Sequence, residues 1–390
     1  MKISVIASTK EGYIAPKDEF DTFSGHSAGI CYMSSTYDNI KSEPVEDTMK
    51  RCENTKSRVH HSVFGHPHVN LLLENIPKGL ALVLNNERIY NTSEQSARYR
   101  KMVLPEDEQN LYNKWLEIFT ELISRDYKEK YPKFFSPRVC RTLAQENARY
   151  LTSVFTPTTM EYSVSYQQLN YLYGMMKKEI NSSESNAFMT ALKPAMEEFC
   201  LAVEQCGYFD EGIARGVEVK NRKLSLFGDH NSEEYFGDVY ATSYDMSFAA
   251  FAQNHRHRTT GYNIILLDDP KFFVPPVLRK SPALTAEWIK DCESRASYFP
   301  QGMLVNVNEM GTFDWFIQKM KERKCSYAQL EINQQTNMLL RKYVESLKAK
   351  NHPRASELEL YTKGARCTFP DYKCQNPCGF IEGIEETRLI

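Results

Sequence analysis

Arg256, His257 and Arg258 place three potentially cationic side chains in a row. On a regular element they cannot all face one way. Arginine forks pair bidentately with phosphate, so the triplet suits a site that grips an anionic phosphate or an electron-rich ring from several sides. Alone, it reads as a solvated basic turn. Glu94, Ser96 and Arg98 alternate in SEQSARY, with Gln95 between the first two. In an extended or looped segment that spacing turns all three to one side. An acceptor, a hydroxyl and a guanidinium then converge, a set suited to the phosphate and sugar hydroxyls of a nucleotide. The competing reading is a helix start, because S-E-Q-S can cap a helix. His60, His61, Ser62, Val63, Phe64, Gly65, His66 and then His68 form a histidine-rich stretch. No H-E-x-x-H is present, and hydrogen-bonding or partly exposed histidines explain it better than a metal site. Arg149 in ENARYL and Arg323 in KERKCSYAQLEI are, taken singly, surface arginines.

The surrounding segments must position these groups. Glu108 to Ser124, Tyr166 to Ile180 and Ala187 to Val203 carry apolar residues at three- and four-residue steps and predict amphipathic helices. Asn70 to Leu84 mixes an apolar run with Pro77 and Gly79, which predicts a strand, a turn and a buried segment. Gly207 to Gly216 carries three glycines after a helix and is the best candidate for a boundary. An aromatic-rich segment, Tyr235 to Phe251, precedes the arginine triplet. Phe272 to Leu278 is a proline-broken apolar loop, and helix-like stretches follow at Ala283 to Arg295, Phe313 to Arg323 and Tyr327 to Lys348.

The 390 residues suffice for two ordinary domains with sizeable cores. A net charge of −2 gives no electrostatic case for a nucleic-acid or membrane-surface partner. No apolar run approaches a membrane span, and the N-terminus shows no signal-peptide core, so a cytoplasmic protein is expected. Most of the ten cysteines are scattered, which suits reduced thiols. Cys367, Cys374 and Cys378 have spacing that would serve part of a zinc site. No fourth ligand is in register, so no metal is expected.

Asn86 to Tyr99, NERIYNTSEQSARY, and Arg256 to Asn263, RHRTTGYN, resemble the back and front halves of R-H-R-x-x-S-x-N-E-x-S-x-R-Y, the motif of flavin-dependent thymidylate synthases. Gln253 completes the family's Q-x-x-R-H-R, with Asn263 after it. The histidine stretch is similar to the family's H-x-[ST]-x-F-E-H, with Gly65 in place of the acid. Arg149 is similar to the arginine of A-R-x-x-L-P, although Thr152 and Ser153 replace its ending. Arg323 precedes Ala328-Gln329-x-Glu331-Ile332, as in L-R-x-x-x-x-A-Q-W-E-I. The resemblance covers roughly residues 27 to 203 and 235 to 346. It sets two copies in register: Asn86 with Arg256 at an offset of 170, and Met176 with Arg323 at 147.

The resemblance implies an α/β (α+β) fold of two repeats, each a central mixed or antiparallel sheet with flanking helices. The expected division is an N-terminal repeat over 1–215, a C-terminal repeat over 216–350 and a cysteine-containing tail over 351–390. It also implies FAD as cofactor, NADPH and methylenetetrahydrofolate as co-substrates, and methylation of dUMP to dTMP. The substrate residues carried over are Glu94, Gln95, Ser96, Arg98, Arg149, Gln253, Arg256 and Arg323, with Arg323 as the catalytic group that stabilises charge on the uracil. The flavin residues carried over are Ser62, Glu94, Arg256, His257 and Arg258. The family's N-x-R flavin contact is missing from both copies, Ser165-Tyr166-Gln167 and Thr312-Phe313-Asp314. The first copy has Val83, Asn86 and Met176 where the second keeps Gln253, Arg256 and Arg323. The second has Ile264, Leu266 and Asp268 where the first keeps Glu94, Ser96 and Arg98, and Ala296 beside a displaced Arg295. One complete site from two complementary copies is expected, with small-molecule nucleotide and folate partners and a homodimer that mimics the family's tetramer. C5 alkylation of another pyrimidine nucleotide, such as hydroxymethylation, and a non-catalytic flavin or nucleotide binder are the alternatives.

Overall fold

A computed structural model describes residues 12–96, 102–228, 233–258 and 260–390, without the side chain of His257. Three helices, α1 (Lys17–Tyr32), α2 (Tyr37–Lys41) and α3 (Val45–Ser57), lead to a short 3-10 turn, His61–Gly65. The first sheet then begins with β1 (His68–Pro77), α4 (Lys78–Asn86) and β2 (Tyr90–Glu94). The amphipathic pair α5 (Glu106–Ile123) and α6 (Pro137–Ala148) follows, then β3 (Pro157–Ser165), α7 (Tyr166–Ile180) and α8 (Ala187–Gln205). Two single turns, α9 (Glu211–Ala214) and α10 (Gly216–Val219), close this part.

The second sheet follows the same order. After β4 (Tyr235–Phe236) come β5 (Val239–Ser247), α11 (Phe248–Asn254), β6 (Gly261–Leu266), α12 (Pro282–Glu293), β7 (Leu304–Thr312), α13 (Phe313–Arg323) and α14 (Leu330–Ala349). The sheet orders are β1-β3-β2 and β4-β5-β7-β6, all pairs antiparallel. The offset of 147 carries β3 onto β7 residue for residue, and the offset of 170 carries the end of β1 onto the end of β5. The architecture is α+β with two repeats, each an antiparallel sheet flanked by helices.

Local chemistry explains the junctions. The last residue of a strand caps the next helix three times: Ser165, Ser247 and Thr312 accept from Gln168, Ala250 and Trp315 N–H. Two of these caps stand where the N-x-R flavin contact is missing. Ser136 caps α6, with Pro137 at the first helical position. The turn expected around Pro77 and Gly79 is absent. Pro77 ends β1, and α4 begins at the next residue, with Lys78 and Gly79 N–H bonded to the carbonyls of Thr156 and Val154. Gly79 lies against Leu192, Phe155 and Phe188, so that helix packs tightly at its first turn. The glycine-rich 207–216 stretch folds into α9 and α10, both against α7.

One hydrophobic core runs through both sheets and includes Val83, Tyr162, Met176, Phe188, Phe248, Val305 and Tyr343. A second joins α5 and α6 to α12 and the C-terminal segment. Trp115 and Trp288 meet edge-to-face there at 4.9 Å, and Phe380 packs on Phe134 and Phe135.

Candidate functional site between the two repeats

The segment leaving each sheet crosses onto the other repeat. Asn86, at the end of α4, donates to the Tyr262 carbonyl in β6 at 2.9 Å. Arg256, in the 3-10 turn that ends α11, reaches back to Glu94 at the end of β2, at 2.5 Å. The counterpart positions thus carry an amide–carbonyl bond on one side and an ion pair on the other.

Glu94 is the last residue of a strand, not part of a helix cap. Gln95 N–H still bonds the Thr159 carbonyl. Glu94 and Ser96 are half-buried and Gln95 is exposed between them, the alternation expected of an extended segment. Around the Glu94 carboxylate stand Arg256, Lys78 at 3.0 Å and Asn85 at 3.3 Å. Burial pushes the carboxyl up, but Lys78 and Arg256 outweigh burial and hold it below the usual range. Lys78 is itself pushed down, first by burial and also by Arg149 and Arg256, although Glu94 opposes this. Three cations therefore act on one another here. Arg258 takes a left-handed backbone (φ 56°) and donates to the Tyr90 carbonyl and, at 2.8 Å, to Asn91 Oδ1. Its guanidinium lies 5.0 Å from the Tyr90 ring centre.

A second cluster lies one helical turn away. Gln329 Oε1 accepts from Arg149 at 3.0 Å and from Gln253, and Gln329 Nε2 donates to Tyr150 Oη at 2.5 Å. Arg323 donates to the Gln253 carbonyl. Tyr150 Oη donates to Glu331 at 2.8 Å, and Glu331 also accepts from Ser247 N–H and Oγ. Burial raises the Glu331 carboxyl despite these donors. His255 is buried, with Nδ1 2.8 Å from the Phe251 carbonyl. Burial, reinforced by Arg256, lowers its pKa to about 4, so the ring is neutral at pH 7.

Within one chain the fold joins Glu94 and Arg149 of the first repeat to Gln253, Arg256 and Arg323 of the second. Ser62 is not joined to them. It is exposed on the 3-10 turn packed against α1 and α7, and it makes no hydrogen bond to Glu94, Arg256 or Arg258 among the described residues. Arg98 and the His257 side chain lie outside the described residues. The opposite combination is built differently. Val83 and Met176 are fully buried core residues, Ile264 is buried, and Arg295 pairs with Asp107 and, at 3.2 Å, with Glu108.

Lys78, Asn85, Tyr150 and His255 were missed by sequence reasoning. Gln329 and Glu331 were seen only as register marks. The pattern A-Q-x-E-I was the available signal for those two; Lys78 had none. Among the described residues, no group of three or more His, Cys, Asp or Glu is placed to hold a metal ion. The ten cysteines are free thiols. No described helix is long and apolar enough to cross a membrane.

Fold and site together define an α+β protein of two repeats with a buried, cation-rich cluster where the repeats meet. Residues 17–200 match the family described as thymidylate synthase complementing protein. No curated protein matches the chain. The match supports, coarsely, a thymidylate synthase-like function, and the matched family is generally flavin-dependent.

Proposed function

We propose that the chain is a flavin-dependent thymidylate synthase that methylates dUMP to dTMP, with methylenetetrahydrofolate as carbon donor and NADPH as reductant. In this reading it arose by tandem duplication, and each chain holds one composite site. The observation that carries the proposal is the network running from Arg149 through Gln329 and Gln253 to Arg323, beside the Glu94–Arg256 pair. It joins Glu94 and Arg149 to Gln253, Arg256 and Arg323 within one chain.

The residues suit the flavin in one respect. Arg256 and Arg258 bring guanidinium donors to the two ends of β2, and Arg256 Nε is buried with no hydrogen-bond partner among the described residues, as a donor awaiting an acceptor oxygen would be. Arg256, Arg258 and His257 would hold the flavin's phosphates. Ser62 would join from a second chain, in a homodimer. When bound, the flavin supplies the hydride and the relay of the one-carbon unit.

The chain's own residues bind and polarise the nucleotide. Arg149 and Gln253, with Ser96 and Arg98, hold dUMP, and Glu94 keeps Arg256 in place. Arg323 faces the uracil carbonyl and N3, and its permanent charge stabilises the enolate-like density that makes C5 nucleophilic. No cysteine nucleophile is needed, in keeping with Cys52, Cys200 and Cys292, whose thiols burial pushes up.

The test is to purify the protein, measure bound FAD by its absorbance, and assay dUMP, UMP and dCMP side by side with methylenetetrahydrofolate and NADPH. Formation of dTMP from dUMP is the expected result. Turnover of UMP or dCMP instead would move the assignment to another C5 alkylation. A colourless protein that takes up no FAD would sink the enzyme reading.

A further inference from the structure

The second repeat contains a buried polar cluster that the first lacks. Glu309 in β7 is fully buried, and Lys319 in α13 is 1% exposed. Lys319 Nζ lies 2.5 Å from Glu309 Oε2. Tyr240 Oη donates to Glu309 Oε1 at 2.6 Å, and Tyr244 Oη donates to Glu309 Oε2. At the 147 offset their counterparts in the first repeat are Tyr162 and Leu172, both core residues. A buried ion pair is weak evidence for stability, because desolvation consumes much of the Coulomb gain. Its presence only in the repeat that keeps Arg323 calls for another role.

The contacts supply one. Asn254 Nδ2 donates to Tyr244 Oη at 3.1 Å. The preceding residue is Gln253, whose carbonyl accepts from Arg323. Arg323 lies four residues after Lys319 on the buried face of α13. The chain of contacts therefore closes on itself: Lys319, Glu309, Tyr244, Asn254, Gln253, Arg323 and back along one helical turn. It ties α13, β7, β5 and α11 into a single register.

We infer that Lys319 and Glu309 are positioning residues for Arg323, fixing where its guanidinium stands relative to Gln253. The inference rests on the synthase reading for what Arg323 does, but not for where it is held. Either single substitution strands a buried charge and threatens folding, so the informative protein is the double variant Lys319→Met with Glu309→Gln. It removes both charges and keeps one side-chain acceptor oxygen where the carboxylate had two.

In the flavin-loaded enzyme this variant should melt no lower than wild type and bind nucleotide with a KM within about threefold, while kcat falls about tenfold or more. In an Arg323→Lys background the same pair of substitutions should lower kcat no further. Hydrogen exchange is measured on the same samples and should speed up at 253–256 and 320–323. Unchanged kcat, or an effect that simply adds to Arg323→Lys, overturns the inference. If the wild-type enzyme makes no dTMP, the synthase reading fails, and exchange alone decides the positioning: unaltered protection in both segments refutes it.

Discussion

Substituting Glu94 by Gln preserves shape and an acceptor oxygen but removes the carboxylate with which, among the described residues, Lys78 and Arg256 pair. Breaking a buried pair by deleting one partner costs about 3–5 kcal/mol, because a charge is left uncompensated. Here Lys78 keeps 14% of its side-chain surface and Arg256 28%. Water therefore recovers part of the loss, and about 2–3 kcal/mol is expected. Adding Lys78→Met removes one of the stranded cations. The double variant should then be more stable than the sum of the singles by about 1–2 kcal/mol. The assay is the midpoint of chemical denaturation at pH 7.5 for the four proteins, with equal slopes. The pH dependence adds a second check. The folded carboxyl titrates below its unfolded value, so its contribution is present above about pH 4.3 and is lost as pH falls through the folded pKa. Wild type and Glu94→Gln should converge in acid. Strict additivity at pH 7.5, with a gap that persists in acid, would refute the ion-pair account.

Three further outcomes are expected. Mixing inactive Arg149→Ala protein with inactive Arg323→Ala protein should restore no dTMP synthesis, because Gln329 and Gln253 together link the two arginines within one chain; recovery on mixing would place the site between chains. His255, with a folded pKa of about 4 against an unfolded value of about 6.5, leaves the unfolded chain holding more protons in that window. Its share of stability is therefore complete above about pH 6.5 and is lost on acidification towards the folded pKa; the denaturation midpoint of His255→Gln should show a shallower slope there. Asp210 accepts from Lys17 and Lys56 at 2.9 Å each and ties α1 and α3 to α7. Asp210→Asn should cost about 3 kcal/mol in thermal or chemical unfolding while leaving nucleotide affinity unchanged.

The helices were legible because their apolar spacing is long and regular: α5, α7 and α8 lie where the periodicity predicts them. The start of α4 was not, because Pro77 and Gly79 are turn residues in most settings. Here the strand ends on the proline, whose missing N–H costs nothing at a helix start, and the glycine admits Leu192. Glu94 and Arg256 could be paired from sequence only through a resemblance, since 162 residues separate them. Lys78 illustrates the remaining limit. A lysine opening an apolar helix looks like a solvated end, and only the fold shows that it points into a carboxylate between two other cations.

On the proposed duplication, the fate of the unused positions argues for a division of labour over decay. A cation that loses its ligand in a buried site is costly unless it is paired or replaced by packing. Met176 stands where the second repeat has Arg323, and it is fully buried within the core that joins the repeats. Val83, opposite Gln253, does the same. Arg295 has been taken up by Asp107 and Glu108 at the contact between α5 and the segment after α12. Two of these positions are thus filled by core packing, and the third is held by ion pairs. Restoring arginine at Met176 would insert a charge into the apolar core. The second combination is therefore closed by packing as well as by missing ligands, and the asymmetry is fixed in the chain's stability.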